Sequence, residues 1–473
     1  MDDRRLPQTA GADQSATVSD VQPEKGLFTR LAARILGKER GNPAPAAVAD
    51  QVMVLGIPNA RFWADSQGGA LVVEAEQALE REHAALVKGH RREGRLPAAY
   101  FLALSGGSDD GCFGAGLLCG WFDGGRMPTF KLVTGISTGA LIAPFAFLGG
   151  AYMKGLREVY TTIGPGNVLK KRGIYGAVFG DALADTAPLY GLITHYVNQQ
   201  TLVDIAAEYN KGRLILIGTT SLDDQRPVIW NVGAIAASGK PAALELVRKV
   251  ILASASVPGA FPPVMIDVEA SGRHYQEMNV DGGVVAQTFL YPPDLGLRVN
   301  LLSAELARDR YAYVIRNSRL DPDWASVSRN FLTIAGRAIA TMIHYGGYND
   351  ILRIYVTAKH DGVDYNLAYI EPDFPNVKHE KFDSAYMNAL FDYGYAKGKA
   401  GYSWHKAPPI LEIDHPTGTC AYCKRDTQVS KREIKHELAS LVDLCDECNQ
   451  KIEDPGALAD VRLRTWMSRI SRG

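Results

Sequence analysis

KLVTGISTGALIAPFAFLGG (131–150) begins as a short apolar run, turns at Gly135-Ile136-Ser137-Thr138-Gly139, and continues in small and apolar residues. The order reads as a buried strand, a sharp turn and a helix. Ser137 stands on the turn, with Gly135 and Gly139 on either side of it. A nucleophile elbow needs that arrangement. Its turn is strained, the flanking backbones pack too closely for side chains, and the following helix N-terminus favours developing negative charge.

Working outward, AAYFLALSGG (98–107) has the same form, a β-rich apolar run ending in glycines, and leads into Gly106-Gly107-Ser108-Asp109-Asp110-Gly111. Glycines at a strand end allow backbone N–H groups to converge on one point, as an oxyanion hole requires. A phosphate-binding loop is the competing reading. No Gly-Lys-Ser or Gly-Lys-Thr follows, however, and Asp109 and Asp110 would repel phosphate. Farther on, Asp281 precedes Gly282 and Gly283. By itself that is a turn. In the company of the elbow and the glycine loop, that plain reading loses weight.

The rest of the chain alternates in the same way. RLILIGTTSL (213–222), YAYVIRN (311–317) and ILRIYVTA (351–358) read as strands. Residues 70–91, 243–256, 325–345 and 382–398 read as helices. Such alternation predicts an α/β layered fold with a largely parallel central sheet flanked by helices.

GGSDDG (106–111), GISTG (135–139), ASASVPGAFPPV (253–264) and DGG (281–283), in that order, resemble the patatin-like phospholipase family of bacterial type over residues 98–290. The resemblance implies a layered patatin-like fold and a serine acyl hydrolase that cleaves carboxylic esters of phospholipids or related lipids. It also implies a Ser-Asp dyad, in which Ser137 attacks the ester carbonyl, Asp281 accepts its proton, and the Gly106, Gly107 and Ser108 backbone holds the oxyanion, with no cofactor needed for catalysis. The family commonly has three glycines followed by a basic residue in this loop; Ser108 and Asp110 stand here instead. A Ser-His-Asp triad is the enzymatic alternative, since His344, His360, His379 and His405 follow Asp281. The non-enzymatic alternative is a catalytically silent lipid-binding or regulatory protein.

Toward the C-terminus, Cys420, Cys423, Cys445 and Cys448 form two CxxC pairs. That spacing predicts a structural, four-thiolate zinc site in a small module over 409–473, following a proline-marked link at 405–416. Cys112 and Cys119 lack ligand spacing and read as core residues. The hydrolase domain is expected over 51–408. Residues 1–50 read as a flexible region containing a basic amphipathic helix near 25–38, where Leu27, Phe28, Leu31 and Ile35 alternate with Lys25, Arg30, Arg34 and Lys38. This helix either docks on its own domain or lies on a membrane surface.

Among 473 residues, 51 lysines and arginines balance 52 acids, so no global field exists to hold nucleic acid. Partners expected are a lipid or other ester substrate, a membrane surface through 25–38, and a protein through the zinc module. No run of apolar residues is long enough to span a bilayer and no secretory h-region opens the chain. The expected setting is cytoplasmic, peripheral at the inner membrane surface.

Overall fold

A computed structural model describes residues 41–89, 96–162, 164, 170–171, 184–291, 308–377 and 379–411, together with four short strands beyond them. The elements that build the site are, in chain order, β1 (Arg61–Trp63), α1 (Gly68–Lys88), β2 (Ala99–Leu104), α2 (Gly111–Asp123), β3 (Leu132–Gly135), α3 (Thr138–Leu148) and α4 (Tyr152–Thr162). They continue with α5 (Ala187–Tyr196), α6 (Gln199–Tyr209), β4 (Leu214–Ser221), β5 (Arg226–Asn231), α7 (Val232–Ala237), α8 (Ala243–Ser254), β6 (Val264–Ala270) and β7 (Arg273–Asp281). The last four are β8 (Arg310–Arg316), α9 (Phe331–Asp361), β9 (Asp364–Tyr369) and α10 (Ser384–Ala400).

The strands join in the order β1-β5-β4-β3-β2-β8-β9, and β7 pairs with both β4 and β6. Neighbours from β4 through β9 run parallel. Both faces of this part are covered, and side chains alternate between them as the pleat demands. Leu102 and Leu104 enter a core with Phe113, Ile142 and Leu390, from α2, α3 and α10. Ala103, Leu132 and Leu216 enter a second core with Leu71 of α1 and Ile351 and Ile354 of α9.

The sheet is mixed, not largely parallel as expected, because β1, β5, β6 and β7 pair antiparallel. The signal for one of these hairpins was present at Ser271-Gly272, the two residues between β6 and β7. Both have positive φ, +50° and +72°, which suits a two-residue hairpin turn. The expected strand at 351–358 is instead the end of α9. Ile351, Ile354 and Ala358 recur on one buried helical face while Val356 points outward, so β-branched content misled where period decides. Asn330 caps this helix through its side chain on the Thr333 amide, and Gly362 closes it with φ +69°.

Residues 46–50, expected to be flexible, belong to a 3₁₀ turn, Ala46–Gln51. Ala49 is buried there and accepts a hydrogen bond from Trp63 Nε1 at 3.1 Å. The basic helix near 25–38 lies outside the described residues. So do Cys420, Cys423, Cys445 and Cys448, and with them the expected zinc site. Near them, Thr417–Thr419 pairs with Asp426–Gln428 and Ser430–Ile434 with Ser440–Leu444, both antiparallel. Among the described residues no helix is long and apolar enough to cross a membrane.

Candidate active site

β3 delivers Ser137 at its carboxyl end, and the residue takes φ +55° and ψ −122° before α3 begins. Few non-glycine residues occupy such a conformation, and it persists only where the surroundings enforce it. Those surroundings are visible. A side chain at Gly135 would collide with the Gly139 carbonyl, and one at Gly139 with the Leu104 carbonyl. The Ser137 amide donates to Ser254 Oγ at 3.0 Å, and that hydroxyl donates onward to the Gly218 carbonyl at 2.7 Å. Ser254 therefore ties the elbow to β4. The sequence showed it only as part of ASASVPGAFPPV, without a role.

Asp281 reaches the elbow through sheet register. Gly135 of β3 pairs with Ile217 of β4, and Thr219, two residues farther along β4, pairs with Asp281 of β7. The Asp281 amide donates to the Ser256 carbonyl at 3.0 Å, so the same serine-rich segment fixes both residues. Asp281 Oδ1 accepts from the Gly283 amide at 2.7 Å. Oδ2 is buried without a partner of regular hydrogen-bond geometry among the described residues. Burial pushes the carboxyl up to about 7, while the nearby Ser137 hydroxyl and the Gly283 amide pull in the opposite direction. A carboxyl in this state exchanges a proton readily near neutrality.

The glycine loop lies against the serine. A Cβ on Gly106 would come within 3.2 Å of Ser137 Cβ, so glycine there permits the approach. The Gly106 amide donates to the Gln287 carbonyl at 3.0 Å and is not available to an oxyanion. The Gly107 and Ser108 amides precede the turn 108–110 and have no acceptor among the described residues. Ser108 has φ +57°. Asn317 supports the loop from behind: its amide donates to Ser105 Oγ at 2.8 Å, its Nδ2 to the Ser105 carbonyl at 2.9 Å, and its Oδ1 accepts from Gly114 at 3.1 Å. Sequence offered no sign of Asn317 beyond its place at the end of a strand.

The four histidines engage elsewhere. His379 bonds Asp109, His405 bonds Glu371, and His360 bonds Asp361. His344 lies edge-on to Tyr345. Cys112 and Cys119 are buried core residues, and burial holds the Cys119 thiol up at about 12. A cavity of about 270 Å³ behind the site is lined by Ile136, Gly218, Gly282, Val285 and Phe289, but by neither Ser137 nor Asp281. Val257, Val284 and Val285, close in sequence to Ser256 or Asp281, are exposed.

Among solved structures, VipD from Legionella pneumophila is similar over 66% of this chain and 67% of its own, at 11% identity and a TM-score of 0.31. That likeness is too distant to bear on fold or function. No curated protein matches the chain. A family match does exist, and it spans the second strand, the elbow, the serine-rich segment and Asp281: residues 102–292 are similar to the patatin-like phospholipases.

Proposed function

We propose that the protein is a serine acyl hydrolase acting on lipid esters through a Ser137–Asp281 dyad. The family match over 102–292 supports lipid acyl hydrolysis in general terms. The dyad is supported chiefly by one observation: strand register brings a buried carboxyl, its Oδ2 without a partner of regular geometry among the described residues, to the serine on a strained elbow. Ser137 Oγ attacks the ester carbonyl carbon as Asp281 takes its proton. The tetrahedral oxyanion receives hydrogen bonds from the Gly107 and Ser108 amides. Collapse expels the alcohol, which takes the proton from Asp281 and leaves an acyl-serine. Water then repeats the sequence and releases the carboxylic acid. Exposed Val257, Val284 and Val285 supply apolar surface for a lipid substrate.

We further propose, from the sequence alone, that Cys420, Cys423, Cys445 and Cys448 hold a structural zinc, and that 25–38 meets the membrane that supplies substrate.

The test is turnover of phospholipid vesicles and of a soluble short-chain ester by full-length wild type, Ser137→Ala and Asp281→Asn. Both variants are expected to lose at least about 10²-fold in kcat on either substrate. Undiminished turnover by Ser137→Ala would remove the nucleophile assignment. A wild type inactive on every ester would favour the silent lipid-binding alternative.

A further inference from the structure

Asp109 takes part in no step of that reaction, yet its carboxylate is buried and fully engaged. Oδ1 accepts from Lys381 Nζ at 2.9 Å, and Oδ2 accepts from His379 Nε2 at 3.2 Å and from the Phe382 amide at 3.1 Å. All three donors come from one strap, residues 379–382, which leads into α10. The neighbouring Asp110 accepts from Tyr386 Oη, in the first turn of α10, at 2.6 Å. The Arg316 guanidinium also acts on Asp110 through space. The His379 ring stacks on Tyr386 with centroids 3.4 Å apart, which joins the two sets of contacts.

The strap and the glycine loop are leads into two helices packed side by side. Gly116 of α2 abuts Phe391 of α10 and Gly120 abuts Tyr395, while Gly394 abuts Phe113 and Gly398 abuts Leu117. The numbers rise together, so the helices run parallel and bring their N-termini to the same end. Carboxylates there are also favoured by both helix dipoles. Burial alone would raise the Asp109 pKa, but Lys381 and the Phe382 amide outweigh it and hold the group below the usual carboxylate value. Two strained residues adjoin Asp109: Ser108 before it in the chain, at φ +57°, and Phe382, whose amide it accepts from, at φ +63°. A non-glycine residue holds such a conformation only where its surroundings restrain it.

We propose that Asp109 is a positioning residue for the oxyanion loop: by gripping the 379–382 strap, it holds the Gly107 and Ser108 N–H groups toward the substrate carbonyl oxygen. This rests on the Ser137–Asp281 reading. The contact pairs an acid on the loop with a base on the strap.

The experiment uses full-length protein, a soluble short-chain ester and a trifluoromethyl ketone whose tetrahedral adduct needs the same N–H groups. Asp109→Asn is expected to lower kcat by about 10²-fold with KM changed less than about twofold, and to weaken the ketone by the same factor as kcat. Lys381, whose side chain is largely exposed, provides variants that spare folding. Lys381→Met should lose about tenfold in kcat, and Lys381→Arg should recover most of that loss. Wild-type kcat and ketone affinity in Asp109→Asn would overturn the proposal. Should that variant fail to fold, equal kcat in wild type and Lys381→Met would overturn it instead. Full turnover by Ser137→Ala, a separate measurement, would overturn the dyad and this proposal with it.

Discussion

An aspartate with a pKa of about 7 is a base that neutral solution half protonates, and two consequences follow for Asp281. Its ionised form accepts the Ser137 proton, so kcat/KM should rise with pH through about 7 and then level off. A profile flat from pH 5 to 9, measured on the soluble ester, would show that another group is the base. The same shift costs stability. Because the folded pKa lies above the ordinary 3.8, the contribution is intact below about 4 and is lost as pH rises through about 7, by an amount on the order of a few kcal/mol. Asp281→Asn should therefore melt above wild type at pH 8, with the gap closing toward pH 4. A gap independent of pH would contradict the burial that raises the pKa. Ser137 and Asp281 were legible in the sequence because each needs glycines beside it, and glycines leave a pattern. The Gly106 amide misled, since its acceptor, the Gln287 carbonyl, is a backbone group brought in by the fold.

At the scale of elements, glycine again decides the packing. α2 and α10 approach so closely that a methyl group on Gly398 would meet the Leu117 carbonyl and the Trp121 amide, and both are main-chain atoms that cannot turn aside. Gly398→Ala should cost about 1–3 kcal/mol in denaturant unfolding. Gly336, in the exposed half of α9, has nothing within 4 Å of where a Cβ would stand. Gly336→Ala should stabilise by about 0.5–1 kcal/mol. Similar effects at the two sites would refute the close helix contact. Strand-turn-helix units at 98–123 and 131–148 could be read from sequence because strand, glycine turn and helix follow without interruption. The run 351–358 could not, since isoleucine and valine suit a strand as well as the buried stripe of a long helix. Nor could the parallel pairing of α2 with α10, which joins segments more than two hundred residues apart.

On the scale of the whole molecule, a sheet whose parallel part is buried on both faces brings the elbow, the aspartate and the glycine loop together through strand register. The proposed zinc ligands, Cys420 to Cys448, stand more than a hundred residues from Asp281 in the chain. Zinc analysis should find about one metal per chain, held by four thiolates, and chelation should expose the segment beyond 409 to protease while ester turnover continues. Loss of turnover on chelation would make the metal part of the catalytic fold. Activation of Ser137 by Asp281 can be read from reaction with a fluorophosphonate followed by peptide mass spectrometry. One adduct is expected, on Ser137, formed at least about 10²-fold more slowly in Asp281→Asn; an adduct on another serine, or an unchanged rate in that variant, would overturn the dyad.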